Sequence, residues 1–266
     1  MKSPTVKPPV VLMEDVVVRA GGRTLLAVEH FAVHAGERVA LVGANGAGKS
    51  TLLALLAALA LPGAQVQGRV QVLGRRVDAP QALSRAQWRA WRAEVGVLMQ
   101  GLHLVPRLSA LDNVLVGALA RPGLPAWRSW ARLYPAALRT EALQALASLG
   151  LGAQATQRTE RLSGGERQKV AVARLALQRA RLLLADEPTA ALDPASTALV
   201  LAELRHLAEA ATLISVVHDA ALLPALAERV VGLAGGRIVF DRPRAVLDAE
   251  QLRGLYDPRL DLVAAT

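Results

Sequence analysis

Gly43-Ala44-Asn45-Gly46-Ala47-Gly48-Lys49-Ser50 limits what this chain can fold into more than any other stretch. It fits G-x-x-x-x-G-K-[ST], a spacing in which glycines fold the backbone tightly around a polyphosphate, because they accept dihedrals that a Cβ forbids. Bare N–H groups then point inward, and the following helix adds the positive end of its dipole. Lys49 supplies a point charge to the β- and γ-phosphates, and Ser50 offers a hydroxyl to Mg²⁺. The flanks agree with this reading. Glu37 to Val42 is a short, β-branched apolar run before the loop, and Thr51 to Leu56 favours a helix after it.

A chain of 266 residues, 53% of them hydrophobic, has ample material for a core. The longest apolar run, Leu52 to Leu61, holds about half the residues that a membrane span requires. It lies where the helix after the phosphate loop belongs, so it reads as a buried core helix. Met1 to Pro9 lacks the apolar region of a signal peptide. With no cysteine there are neither disulfides nor thiolate metal sites. These features predict a cytoplasmic protein, soluble when isolated. The net charge of +9 invites a nucleic-acid reading, but the arginines are scattered and aromatics are only 3% of the residues, so stacking platforms are scarce. A basic face that tolerates anionic lipid headgroups explains the charge without a nucleic-acid partner.

In chain order, residues 10–18 and 25–33 read as strands joined by a Gly21-Gly22 hairpin. The loop's strand and helix follow, then a short strand over Gly68 to Gly74. Ser84 to Glu94 reads as a helix capped by Ser84, and Val95 to Met99 as a buried strand ending at Gln100. From about 101 to 178 the strand pattern stops. Ser109 to Leu119 and Pro135 to Leu149 are apolar at helical spacing, with a loop-rich stretch between them containing Pro122, Pro125, Trp127 and Trp130. Those aromatics read as ordinary packing ahead of the alternative, a contact with a partner. Beyond Ser163 the α/β alternation returns. Leu182 to Ala185 is wholly apolar, as a central parallel strand should be. Asp193-Pro194 opens a helix, Thr212 to Val217 is a buried strand, and Gly235-Gly236 joins two more strands, before a short helical tail.

Four further sites carry chemistry. Asp186-Glu187 closes an apolar strand, where one acid can hold Mg²⁺ and the second can orient or deprotonate water. Ser163-Gly164-Gly165 begins a helix with bare N–H groups, a second anion site, although Ser163 and Glu166 also fit an ordinary capping box. Gln100 and His218 each follow a strand, and neither is diagnostic alone.

Together, Gly43–Ser50, Gln100, Leu162–Gln168, Leu182–Glu187, Ala191-Leu192-Asp193 and His218 stand in the order and spacing of the ABC-type ATPases. Over essentially its full length the chain resembles the nucleotide-binding subunit of an ABC transporter. The resemblance implies a P-loop NTPase (RecA-like) α/β core with an antiparallel β subdomain and an inserted α-helical signature subdomain. Residues 1–266 would form one ABC ATPase domain. Its ATP-binding core with β subdomain would span about 1–100 and 179–241, its helical subdomain about 101–178, and a short tail 242–266. It implies that ATP is held by residues 43–51, from Gly43, Ala44, Asn45, Gly46, Ala47 and Gly48 through Lys49, Ser50 and Thr51. Mg²⁺ would be held by Ser50, Gln100 and Asp186. Glu187 would be the catalytic base, with His218, Lys49 and Gln100 contacting or sensing the γ-phosphate. Two copies would face head to tail, so that Ser163, Gly164 and Gly165 reach the ATP held by the other copy, and Asp193 would couple the two sites. The implied partners are a second copy, integral membrane permease subunits and, indirectly, a solute-binding protein, with no nucleic acid. The place is the inner face of the cell membrane.

Within the family the chain looks most like the ATPase of phosphonate importers. That likeness lies in Leu104 to Leu119, Trp127-Arg128-Ser129, Leu184 to Pro188 and Gly236 to Asp241. Rival readings are an ABC ATPase for another solute or for export, and a soluble ABC switch protein acting on a nucleic-acid or ribosomal partner. Members with that last role usually carry two cassettes or a long coiled coil, and this chain has one phosphate loop. Two positions depart from the family pattern. Glu166 stands where Gln is usual in the signature, with activity expected to survive. Ala20 stands where an aromatic usually stacks on adenine, and a lost stack is worth roughly 1–3 kcal/mol by analogy with base–aromatic stacking. Arg19 or Arg23 then covers the base. GTP should therefore compete well against ATP in a hydrolysis assay, and strong rejection of GTP would refute the assignment of Ala20.

Overall fold

The computed structural model of the protein describes residues 8–78, 83–121, 124, 134–190 and 192–247. The elements, in chain order, begin with strands β1 (Val11–Ala20), β2 (Arg23–Val33) and β3 (Arg38–Val42) and helix α1 (Lys49–Leu56). There follow β4 (Ala64–Val72), β5 (Arg75–Arg76), α2 (Arg85–Glu94), β6 (Val95–Leu98), α3 (Ala110–Gly117), α4 (Ala136–Ser148) and α5 (Gly164–Gln178). The last are β7 (Leu182–Asp186), α6 (Pro194–Ala208), β8 (Thr212–Val216), α7 (Leu223–Leu226), β9 (Arg229–Ala234) and β10 (Arg237–Pro243). The chain divides into two compact units, Met1–Ser84 with Thr212–Thr266, and Arg85–Ala211.

In the first unit the strands run in the order β5-β4-β1-β2-β10-β9-β3-β8. β1 and β2 alternate. Val11, Met13, Val16 and Val18 on one strand and Leu26, Val28, Phe31 and Val33 on the other are buried, as expected of antiparallel strands with one wet face. Gly21 and Gly22 have φ of 55° and 76°, the two positive values that a tight hairpin turn needs. β3 and β8 are buried almost throughout and pair in parallel, Leu41 opposite Val216, while β9 flanks β3 on its other side. Helix α1 buries Leu52, Leu53, Leu55 and Leu56.

In the second unit β6 and β7 pair in parallel, Leu98 opposite Ala185. Helix α5 buries Val170, Ala171, Val172, Ala173, Leu175 and Leu177. It lies so close to α3 that a Cβ on Gly117 would come within 2.3 Å of the Arg174 carbonyl oxygen. Glu141 on α4 accepts from Arg121 at 2.6 Å and from Arg179, just past α5, at 2.9 Å. These two cations, Arg121 foremost, hold its carboxyl below the usual glutamate range.

Differences from the sequence reading are local. β4 begins at Ala64, ahead of the predicted start at Gly68, because its first half is exposed and polar and carries no apolar signal. The apolar run from Leu52 is helical only to Leu56. The chain then reverses at Ala58 (φ 48°), ahead of Pro62, and Gly63 (φ 68°) continues the turn into β4. Of the predicted helical tail, the described part is β10 running to Pro243 and a single 3₁₀ turn at Arg244–Val246. Residues 248–266, the start of the chain through Lys7, Ala191, and Pro122, Pro125, Trp127, Arg128, Ser129 and Trp130 lie outside the described residues. Among the described residues no helix is long and apolar enough to cross a membrane.

Candidate active site

The first unit builds a phosphate cradle. The loop leaves the C-terminal end of β3, and positive φ at Gly43 (140°), Gly46 (85°) and Gly48 (100°) turns it into α1. Two of these glycines are set by crowding as well as by dihedral. A Cβ on Gly43 would lie 2.1 Å from the Leu233 carbonyl oxygen, and one on Gly48 would lie 3.1 Å from that of Leu25. Gly46 has open space, so only its dihedral calls for glycine. Helix α1 starts at Gly48 with no side-chain cap and no acid in its first turn. Its leading N–H groups therefore suit an external anion, as backbone donors at a helix start do. Lys49 is buried, and its Nζ donates to the carbonyl oxygens of Gly43 and Ala44, each at 2.7 Å, drawing the cation across the loop. The residue types fit a polyphosphate: donors, one ammonium and no competing carboxylate among residues 43–51. His218 lies two residues beyond β8, which parallels β3, and the Val217 N–H donates to Leu41 at 3.1 Å. His218 and the loop thus leave the same end of adjacent parallel strands, where open α/β sheets place ligands.

The second unit holds the acids, the glutamine and the signature. Asp186 ends β7 and is 3% exposed. Glu187 follows with φ 50°, a left-handed conformation that costs a non-glycine residue about 1–2 kcal/mol. Such strain is typical of positions fixed for chemistry. Gln100 leaves β6 at the same end, and its Nε2 lies 3.4 Å from Glu187 Oε1. The structure therefore brings together Gln100, Asp186 and Glu187, although more than eighty positions separate the glutamine from the acids.

Ser163 caps α5 in a full capping box. Its Oγ accepts from the Glu166 N–H at 3.2 Å, and Glu166 Oε2 accepts from the Ser163 N–H at 2.8 Å. That backbone bond holds the Glu166 carboxyl below its usual value. The box uses the N–H groups of Ser163 and Glu166, and those of Gly164 and Gly165 stand outside it. A Cβ on Gly164 meets nothing within 4 Å, so this turn is open. Gln168 Nε2 donates to the Pro188 carbonyl at 2.8 Å, tying α5 to the segment after Glu187. A Cβ on Gly165 would come within 3.1 Å of Leu192 Cδ2, next to Asp193. Asp193 caps α6 by accepting from the Ser196 N–H at 2.9 Å. The Ser196 hydroxyl, together with that N–H, keeps the Asp193 carboxyl below the usual range.

Residues that the sequence reading passed over hold these groups in place. Asn113, buried in α3, accepts from the Val105 N–H at 2.8 Å and donates to Val105 O at 3.0 Å and Thr159 Oγ1 at 3.3 Å. Thr159 in turn donates to Val105 O at 2.9 Å. Arg174 donates to the carbonyls of Leu102 and His103, and burial pushes its guanidinium below the usual value. An asparagine and an arginine inside apolar helices were the available signal.

A glycine-lined cradle on one unit and paired acids ending a parallel strand on the other define a P-loop ATPase. Comparison with known proteins narrows this. The ABC transporter family model matches residues 27–190. The chain is 42% identical over 232 residues to the phosphonates import ATP-binding protein PhnC of Stutzerimonas stutzeri, spanning 86% of this chain and 83% of that one. It is 43% identical over 251 residues to the phosphonates import ATP-binding protein PhnC of Nocardia farcinica, spanning 93% and 90%. The ATP-binding cassette MJ0796, solved as a dimer bound to ADP and Pi, superposes with a TM-score of 0.72 at 26% identity, over 88% of this chain and 98% of that one. The chain belongs to the ABC transporter family, as one of its nucleotide-binding ATPases.

The crowding at Gly43 sets apart two alanine variants. Gly43→Ala should push the loop off Leu233, cost roughly 1–3 kcal/mol of stability and weaken ATP binding by at least about tenfold. Gly46→Ala, with open space, should meet only the dihedral cost of about 1–2 kcal/mol. Thermal unfolding and ATP titration of both variants check this, and equal losses would refute it.

Proposed function

We propose that this ATPase powers import of phosphonate or a related phosphorus oxyanion through a separate membrane permease. The observation that carries the proposal is identity of 42–44% with several phosphonates import ATP-binding proteins, each spanning more than four-fifths of this chain. The stretch Leu104 to Leu119, which includes α3, supports it, since the ATPase meets its permease through the helical subdomain in such importers.

In this reading residues 43–51 wrap the β- and γ-phosphates of ATP, Lys49 neutralises their charge, and Thr51 extends the contact from α1. Ser50, Asp186 and Gln100 offer the oxygen donors that a hard divalent cation prefers. Among the described residues no group of three or more His, Asp or Glu forms a metal cage of its own. The donor set therefore suits Mg²⁺, which usually takes one or two protein oxygens with phosphates and water completing its shell. When bound, Mg²⁺ supplies charge neutralisation on the phosphate oxygens. Glu187 takes the proton of the attacking water, and His218 holds that water and the γ-phosphate in line. Gln100 reports on the γ-phosphate. The catalytic gain is positioning and charge stabilisation.

The reading extends to assembly. The chain is one ABC ATPase domain, with a helical subdomain of about 101–178 set into the ATP-binding core. Two copies pair head to tail so that Ser163, Gly164 and Gly165 of one address the γ-phosphate held by the other, and Asp193 links the two sites. The dimer bound to ADP and Pi in the related MJ0796 cassette supports this arrangement. The pair sits on the cytoplasmic face of the membrane against two permease subunits, fed by a solute-binding protein.

Two outcomes test the reading. Glu187→Gln should bind ATP, fail to hydrolyse it and run as a stable dimer in gel filtration with ATP; a monomer under those conditions removes the sandwich assignment. A strain lacking the gene should fail to grow on a phosphonate as sole phosphorus source, with growth restored by the wild type but not by Lys49→Ala. Unimpaired growth in a strain with no second importer would leave the ATPase and remove the solute.

A further inference from the structure

We propose that Arg174 is a positioning residue that locks the segment following Gln100 to the signature helix, so that the γ-phosphate sensor and the signature move as one body. The proposal rests on the reading of Gln100 given above and assigns a role to a residue that reading leaves out.

Arg174 stands in α5, about three turns beyond Ser163. Its Nη1 donates to the His103 carbonyl at 2.7 Å and its Nη2 to the Leu102 carbonyl at 2.6 Å. Leu102 and His103 are consecutive residues in the left-handed region, with φ of 51° and 48°. The turn that contains them is tight: the Leu102 N–H donates to Met99 at 2.8 Å and the His103 N–H to Gly101 at 2.5 Å. Two side-chain-bearing residues in succession rarely take that conformation without external support. A planar guanidinium with two parallel donors supplies it, by gripping both carbonyls at once. A lysine ammonium has no such fork.

The same loop is held at its far end. Asn113 on α3 and Thr159, four residues before Ser163, share the Val105 carbonyl. Thr159 N–H donates to Leu108 O at 3.0 Å and Glu160 N–H to Pro106 O at 3.1 Å. The stretch from Gln100 to α3 is therefore stapled to the signature element twice, once on each side of Ser163 in sequence. Arg174 is half-buried, and among the described residues its side chain donates to carbonyl oxygens alone. An arginine serving only as surface charge would instead pair with an acid or face water. Gly117 permits the arrangement, because any Cβ there would collide with the Arg174 carbonyl.

A double-mutant cycle on the full-length chain tests the role, with ATP hydrolysis and thermal unfolding measured for wild type, Gln100→Ala, Arg174→Lys and the pair. Residues that act through one another are non-additive. Arg174→Lys alone should lower kcat by about tenfold with KM for ATP changed less than about twofold, and in the Gln100→Ala background it should lower kcat by less than about twofold. An equal fold-loss in both backgrounds, or a kcat loss matched by loss of ATP binding, would overturn the proposal and leave Arg174 as packing. If Gln100→Ala itself hydrolyses ATP at the wild-type rate, the reading of Gln100 falls and this proposal falls with it. Should Arg174→Lys fold poorly, Arg174→Gln, which retains a donor to one carbonyl, serves in the same cycle with the same criteria.

Discussion

Complete burial of short parallel strands governs this molecule. β3, β7 and β8 have almost no exposed position, and their residues are Val, Leu, Ile and Ala apart from the ends and Ser215. A strand covered on both faces has nowhere to put chemistry along its length. Polar function is thus confined to the point where each strand stops. Lys49 and the glycines follow β3, Asp186 closes β7, His218 follows β8 and Gln100 follows β6. The apolar cores are what give these side chains a fixed origin, since each sits within a few residues of a backbone that cannot shift without breaking its ladder.

Among α1, α3, α5 and α6 the N-termini are of two kinds. Those of α3, α5 and α6 are closed by Ser109, Ser163 and Asp193, which accept from N–H groups of the first turn. That of α1 has glycine instead, with no side-chain cap. The helix of the signature combines both: its cap satisfies one donor through Ser163 while Gly164 and Gly165 keep the approach open. Glu166 places a carboxylate in this box where the family usually has an amide. It accepts from the Ser163 backbone N–H, so its charge is taken up by the cap.

Much of the site was legible in the sequence because its parts are local. Gly43 to Ser50 is a contiguous motif whose glycines announce its dihedrals, and Asp186-Glu187 follows an apolar run that could only be a buried strand. Ser163 and Glu166 were readable as a capping box, and the structure contains one. The supporting contacts were not legible. Asn113 meets Thr159 across 46 positions and Arg174 meets Leu102 across 72, and neither spacing leaves a periodic trace. The exposed first half of β4 was missed for a related reason: Gln65, Gly68 and Arg69 are solvent-facing, and pairing with β1, not hydrophobicity, makes them a strand. The left-handed turn at Leu102 and His103 contains no glycine in those two places and so gives no warning.

The seat of the phosphate loop has a consequence for how the protein is made. Gly43 rests against the Leu233 carbonyl and Gly48 against Gly236, while β10 pairs with β2. The loop leaves a ribosome nearly two hundred residues ahead of the backbone it rests on. A nascent chain that has completed the signature helix and both acids still lacks β8, β9 and β10. Since domains generally mature as whole units during synthesis, the nucleotide cradle takes its final shape only once β9 and β10 have been delivered to support it.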